Sequence, residues 1–314
     1  MSSIEPTAQL GGIERVASNP HITRPAGDTL HHPAARSIWG DVWQRLRANR
    51  LAVISAVFVL LIIILALAAP LVAPRGYTFQ DYKHLRAGPS AQFWLGTDTA
   101  GRDLWARIVY GGRVSLTVGI GVQLIAVLIG VPLGLLAGFR GGRVDMLIMR
   151  VVDTLYAFPT LLFAILLMSW LGQGVLNIVI ALSLIGWLPL CQLVRAQVIS
   201  VREREFVQAA RALGVPDLQI MWRHLLPNTL STIITAVSFG IPQSILSEAA
   251  LSFIGVGINP PLPSWGSMVS DNILYIRSAW HLALFPALAL GLTMLAFTAF
   301  GDGLRDALDP RRTR

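Results

Sequence analysis

Of the 314 residues, 54% are hydrophobic and only 13% are charged. Soluble domains carry charge on roughly a quarter of their residues, so this chain cannot coat a water-facing surface and belongs to the membrane class. The net charge of +8 falls in short arginine clusters between apolar runs, a pattern of topology determinants rather than a nucleic-acid-binding face.

Residues 1–36 are polar, hold several prolines and show no apolar periodicity; they read as a mobile tail. They lack the short basic-then-apolar form of a signal peptide. Ala66-Leu67-Ala68 mimics a cleavage site, but an apolar run this long, starting after fifty residues, reads as a retained anchor.

A membrane-spanning helix needs about 20 apolar residues, each adding about 1.5 Å across a core about 30 Å thick. On that measure spans are expected at 51–73, 114–139, 154–170, 175–194, 225–248 and 282–301. The third and fourth come from one uncharged stretch too long for a single crossing. Leu171-Gly172-Gln173-Gly174 divides it, since paired glycines favour a turn. The expected fold is an all-α integral membrane protein of six spans, covering residues 37–314.

Orientation follows from the basic residues. With the N-terminus inside, the inner segments hold sixteen Arg or Lys and the outer segments seven, six of those in one long loop. Long loops weigh less in this bias, so both termini are expected in the cytoplasm. Trp43, Trp170 and Trp280 fall where interfacial aromatics are expected. Cys191 is the only cysteine, which excludes an intramolecular disulfide or a cysteine metal cluster and reads as a small apolar helix residue.

The inner loop at 195–228 carries the most information. Phe206, Ala209, Ala210 and Leu213 recur at helical spacing and predict a short helix with an apolar, small-residue face. Gly214 suits a left-handed helix end. Pro216 and Asp217 suit the first turn of another helix, and Leu218, Met221, Trp222 and Leu225 make its stripe before Pro227. Periodicity leaves two readings open: an amphipathic hairpin resting on lipid, or a docking surface that Ala209, Ala210 and Gly214 let another protein approach closely.

Two acids border apolar sequence, where ionisable groups often mark a pathway. Asp153, with Arg150 one turn away, reads first as half of an interfacial ion pair. Glu248, near the outer end of the fifth span, reads as a structural hydrogen-bonding group or as a lining of a path. The Gly- and Pro-rich stretch from Ile254 to His281 reads as an ordinary outer loop or as a re-entrant or receptor-facing segment.

No phosphate loop of the form G-x-x-x-x-G-K-[ST] occurs, and no H-E-x-x-H or G-x-S-x-G. No catalytic residue or metal site is therefore expected in this chain.

Gln208-Ala209-Ala210, Gly214 and Leu226-Pro227 resemble the EAA loop of ABC importer permeases. Gln208 departs from that pattern by standing in place of the glutamate, and His224 by replacing an isoleucine; Glu205, one turn earlier, can substitute for the missing charge. Several other segments resemble the C-type subunit of dipeptide and oligopeptide permeases. They are Leu95-Gly96-Thr97-Asp98 through Asp103, Gly112-Arg113-Val114-Ser115-Leu116, Phe158-Pro159, Glu248 through Gly255, Pro260 through Gly266, and Gly301 through Arg305-Asp306 and Asp309-Pro310.

That resemblance implies a type I ABC importer permease fold in a bacterial inner membrane. It implies a second homologous permease subunit, two cytoplasmic ATPase subunits and an extracytoplasmic substrate-binding protein as partners, besides lipid and without nucleic acid. ATP and Mg would be bound by the ATPases and no cofactor by this chain. The coupling loop would comprise Glu205, Gln208, Ala209, Ala210, Gly214, Leu226 and Pro227. The rivals are a stand-alone secondary transporter or channel, which would show mid-span charges and internal repeats, and a membrane-embedded enzyme with convergent nucleophilic or metal-binding residues.

Overall fold

Long apolar helices are joined by turns and by two longer stretches, 73–103 and 254–264. The computed structural model describes residues 38–308. The tail at 1–36, Asp309-Pro310 and the terminal arginines Arg311, Arg312 and Arg314 lie outside the described residues.

Helix α1 (Ile38–Ala48) leads into α2 (Arg50–Leu67), whose first turn is capped by the Asn49 side chain accepting from the Ala52 amide at 3.2 Å. The short α3 (Ala69–Val72) follows, with Pro70 in its first turn. Helix α2 buries Ala52, Ser55 and Val59 against the last helix of the chain and exposes Leu51, Ile54, Leu61 and Leu67. That apolar outer side suits contact with lipid.

Helix α4 (Leu104–Arg140) starts ten residues before the expected second span. Two features explain the early start. Asp103 caps the helix by accepting from the Trp105 amide at 3.0 Å, and the buried Arg107 in its first turns faces the Asp98 carboxylate at 3.5 Å. Burial pushes the Asp103 carboxyl above the usual carboxylate range, against the hydrogen bond from Trp105.

Helices α5 (Gly142–Tyr156) and α6 (Thr160–Leu171) replace the straight third span expected at 154–170. They meet at 82°. Pro159 causes the bend, because it disfavours helical backbone at the residue before it and offers no N–H of its own. Gly172 and Gly174, both at positive φ, then separate α6 from α7 (Val175–Arg202).

Helix α8 (Glu205–Ala212) and α9 (Asp217–Ile220) come next. A single π turn, Met221–Leu225, joins α9 to α10 (Leu226–Phe253). The Leu226 amide bonds the Met221 carbonyl five residues back, and the wide turn sets Pro227 into the start of the next helix. Pro227 therefore does not end the second helix of the loop; Asp217–Phe253 runs as one element of 37 residues. Helix α11 (Trp265–Asn272), a 3-10 turn at Ile273–Tyr275 and α12 (His281–Leu308) complete the fold.

Among the described residues five helices are long and apolar enough to cross a membrane, or six if the bent α5–α6 pair is one span. The described residues contain no β-strand beyond two isolated bridges. Trp43, Trp170 and Trp280 are all exposed. The central contact is α4 on α7. A Cβ added at Gly130, Gly134 or Gly138 would lie 2.7–2.8 Å from the carbonyls of Trp187, Cys191 and Arg195 in turn. One glycine per turn thus lets the two backbones meet, the small-residue packing of helices in lipid.

Candidate functional site

The α8 loop sits at the end of the bundle where α4 and α7 finish. Of the face that the periodicity suggested, only Ala210 turns inward. Val207 and Ala210 point into the body, whereas Phe206, Ala209 and Leu213 are exposed. In the following segment Ile220, Met221 and Leu225 are buried, and Leu218 and Trp222 are exposed. An outward apolar row, Phe206, Leu213, Leu218 and Trp222, results, with Leu213 83% exposed.

Gly214 makes the turn between the two helices. Its φ is +74°, and its amide bonds the Arg211 carbonyl at 2.9 Å while the Val215 amide bonds that of Ala210 at 3.1 Å. This pair of bonds is the Schellman closure, which requires a left-handed residue at that position. A side chain there would meet no neighbour, so the demand for glycine comes from the backbone alone.

Arginines fix the loop to the body. Arg202 donates to the Gly138 carbonyl at 2.8 Å, and the Arg211 guanidinium lies 4.7 Å over the Phe139 ring. Arg195 clasps Asp145 with two hydrogen bonds, Nη2 to Oδ2 at 2.6 Å and Nε to Oδ1, tying α7 to α5. Gln208 donates to the Glu203 carbonyl at 3.1 Å, so it closes the α7–α8 turn. Glu205 is exposed at the start of α8 and makes no ion pair among the described residues. Leu226 is half-buried and Pro227 exposed.

The two singled-out acids have opposite surroundings. Asp153 is exposed, and among the described residues it forms no ion pair with Arg150; the interfacial pairing on α5 belongs to Asp145 instead. Glu248 is fully buried. It accepts hydrogen bonds from the hydroxyls of Ser115 at 3.1 Å and Ser252 at 2.8 Å and does not line the cavity described next.

That cavity, of about 710 Å³, opens between α4, α5, α6, α7 and α10. Its polar lining is Gln123, Tyr156, Thr160, Gln243, Ser244 and Ser247, and among the described residues no Asp, Glu, Lys or Arg lines it. Gln123 reaches from α4 to the Ser244 hydroxyl on α10 at 3.0 Å. The sequence reading missed these residues. Their signal was present: uncharged amides inside otherwise apolar runs, where polar side chains are costly unless they line a cavity or pair.

A second polar centre lies at the opposite end, in a segment that the sequence analysis singled out. Asp98 accepts from the amides of Ala100 and Arg102, each at 2.9 Å, and from the Arg102 guanidinium at 2.7 Å. Thr97 accepts from the Ala87 amide at 2.9 Å and donates to the His84 carbonyl. The 95–103 segment is therefore a structural knot around two buried polar residues, Thr97 and Asp98.

Residues 130–314 match the model of the binding-protein-dependent transport system inner membrane component family. The chain belongs to that family. Residues 37–89 also match the N-terminal TM domain of oligopeptide transport permease C. The glutathione transport system permease protein GsiD of Pectobacterium atrosepticum is 41% identical over 283 residues, covering 90% of this chain and 94% of that relative. The dipeptide transport system permease protein DppC of Bacillus subtilis is 40% identical over 288 residues, 91% and 90% of the two chains. DppC of Alkalihalophilus pseudofirmus is 42% identical over 277 residues, 88% and 91%. This permease is thus a multi-pass inner-membrane component of an ABC importer, and both the α8 loop and most of the cavity lie inside the matched region.

Proposed function

We propose that this permease forms half of the translocation path of an ATP-driven importer for di- and oligopeptides or related small solutes. A second homologous permease subunit forms the other half. Each of two cytoplasmic ATPase subunits receives one loop of the α8 type, and an extracytoplasmic binding protein delivers cargo. ATP and Mg²⁺ are bound by the ATPases, and this chain carries out no chemistry.

The observation that carries the reading is the outward row Phe206, Leu213, Leu218 and Trp222. Large apolar side chains on a loop anchored by Arg202 and Arg211 lose free energy in water and gain it under a partner. The arginine bias favours a cytoplasmic location for this loop. The seat of the loop on the ends of α4 and α7 gives a partner's movement a direct route into the spans. Gln208 bonds within its own turn, so a salt bridge to the ATPase falls to Glu205.

The cargo follows from two supports. Dipeptide and glutathione, in the relatives' names, are both short peptides. The cavity offers two amide side chains and several hydroxyls, which suit the amides of a peptide backbone whatever its side chains. Its lack of charge is also unlike the paired ionisable groups of ion-coupled transporters.

The test is reconstitution. The tagged chain is purified with its partner permease and ATPases, placed in vesicles, and supplied with binding protein and labelled dipeptide. Uptake that needs ATP is expected, together with loss of bound ATPase in Leu213→Asp. Uptake by the chain alone, without ATP, would make it a self-contained transporter.

A further inference from the structure

Three motifs far apart in sequence converge on one buried point, and the proposed coupling does not yet use it. They are Gly112 to Leu116 on α4, Glu248 to Gly255 at the end of α10, and Pro260 to Gly266 leading into α11. At their meeting point Glu248 and Ser115 are fully buried, and Ser252 and Trp265 nearly so.

The hydrogen bonds form two relays into one carboxylate. The Ile258 amide donates to the Ser252 hydroxyl at 3.2 Å, which donates to Glu248 Oε1 at 2.8 Å. The Trp265 amide lies 3.4 Å from the Ser115 hydroxyl, which donates to Glu248 Oε2 at 3.1 Å. Each hydroxyl accepts from backbone and donates to the acid, so both have the same polarity and both depend on Glu248 as final acceptor. The two amides stand at either side of the Pro-rich stretch 259–264. One side chain therefore fixes both ends of that segment.

Packing reinforces the relays. The Trp265 indole donates to the Ile108 carbonyl at 2.9 Å, and a Cβ at Gly112 would lie 2.8 Å from the Trp265 ring. Gln173, between α6 and α7, donates to the Gly255 carbonyl at 3.2 Å and accepts from Asn259. The 254–272 segment is thus bolted to α4, to α10 and to the α6–α7 turn. The continuous element Asp217–Phe253, which ends in α10, runs from the α8 loop to this bolt, about 55 Å at 1.5 Å per residue.

We propose that Glu248 is a positioning residue for transport: it locks the 254–272 segment to α4 and α10, so that movement imposed at the α8 loop reaches the outer surface. The proposal rests on the importer reading above. It also commits Glu248 to a mechanical role, away from cargo.

The test is amide hydrogen exchange across 254–272 in the assembled complex, compared between the ATP-free state and the state trapped with ATP and vanadate. In the wild-type complex, exchange in this segment changes on trapping. In Glu248→Ala, exchange around Ile258 and Trp265 rises in the ATP-free state. The response to trapping falls about fivefold or more, the scale of an ordinary coupling between sites, while ATP hydrolysis continues. Glu248→Gln, which keeps one acceptor oxygen, falls between the two.

Ser115→Ala and Ser252→Ala carry the test should Glu248→Ala not fold. The first frees the Trp265 amide alone and the second the Ile258 amide alone. A Glu248→Ala complex that folds and responds to trapping like the wild type would overturn the proposal, as would single serine variants with no selective change. Failure of the wild-type chain to assemble with ATPases would instead overturn the importer reading, and this proposal with it.

Discussion

The two ends of the bundle are fastened in different ways. At the α11 end two buried carboxylates gather hydrogen bonds: Asp98 accepts from two amides and a guanidinium, and Glu248 from two hydroxyls. At the α8 end apolar groups are exposed, and a few arginine contacts hold the loop. Buried polar networks fix one arrangement and are costly to leave half-made, whereas the α8 loop rests on a few surface fastenings. The contrast separates a braced end from an open one, and substitutions at each should fail differently.

The largest stability effect is expected at Asp98. Asp98→Ala removes the carboxylate at ion-pair distance from Arg107, which is 2% exposed, and breaking a buried pair costs about 3–5 kcal/mol. Thermal unfolding in detergent should show it as a marked loss of folded protein. Next is the helix contact between the two ends. Gly134→Val puts a branched side chain where a Cβ already lies 2.7 Å from the Cys191 carbonyl, an overpacking worth about 1–3 kcal/mol, again read by thermal unfolding.

Gly214→Val should cost about 1–2 kcal/mol, the strain of a left-handed non-glycine residue, because space around it is open. Global unfolding should move little. Exchange of the Gly214 and Val215 amides should rise, and ATPase co-purification should fall. The smallest effect on stability is at Leu213. It is so exposed that Leu213→Asp should stay within about 0.5 kcal/mol of wild type yet lose the ATPases in a pull-down. A Leu213→Asp chain that unfolds, or an Asp98→Ala chain that does not, would erase the contrast.

Local features were the legible ones. Gly214 announced a left-handed helix end because few other residues tolerate it, and Gly172 with Gly174 announced a break inside an otherwise uniform run. The arginine-flanked apolar stretches revealed the six-span class. The bend at Pro159 was legible in principle, yet a hydropathy window does not see a backbone constraint and drew one straight span across it.

What the sequence withheld was the choice of partner across space. Phe206 and Val207 are both apolar neighbours on one short helix, and only the body of the protein decides that Val207 turns inward. Glu248 stood out as an acid at the end of an apolar run. Its partner Ser115, however, is 133 positions away and looks like any other small residue of α4. Gln123 and Ser244 meet across a comparable gap. The π turn before Pro227 has no sequence signature, so the continuous path through α10 had to be seen.

The most direct test of the central claim is to watch Leu213 itself. With Cys191 replaced by Ala, Leu213→Cys carries a single spin label in the permease pair, without and then with the ATPase subunits. The label should be mobile and open to a water-soluble relaxation agent in the pair alone, then immobilised and shielded once the ATPases bind. A label that stays mobile and accessible in an assembled, ATP-hydrolysing complex would show that the α8 row is not the docking surface.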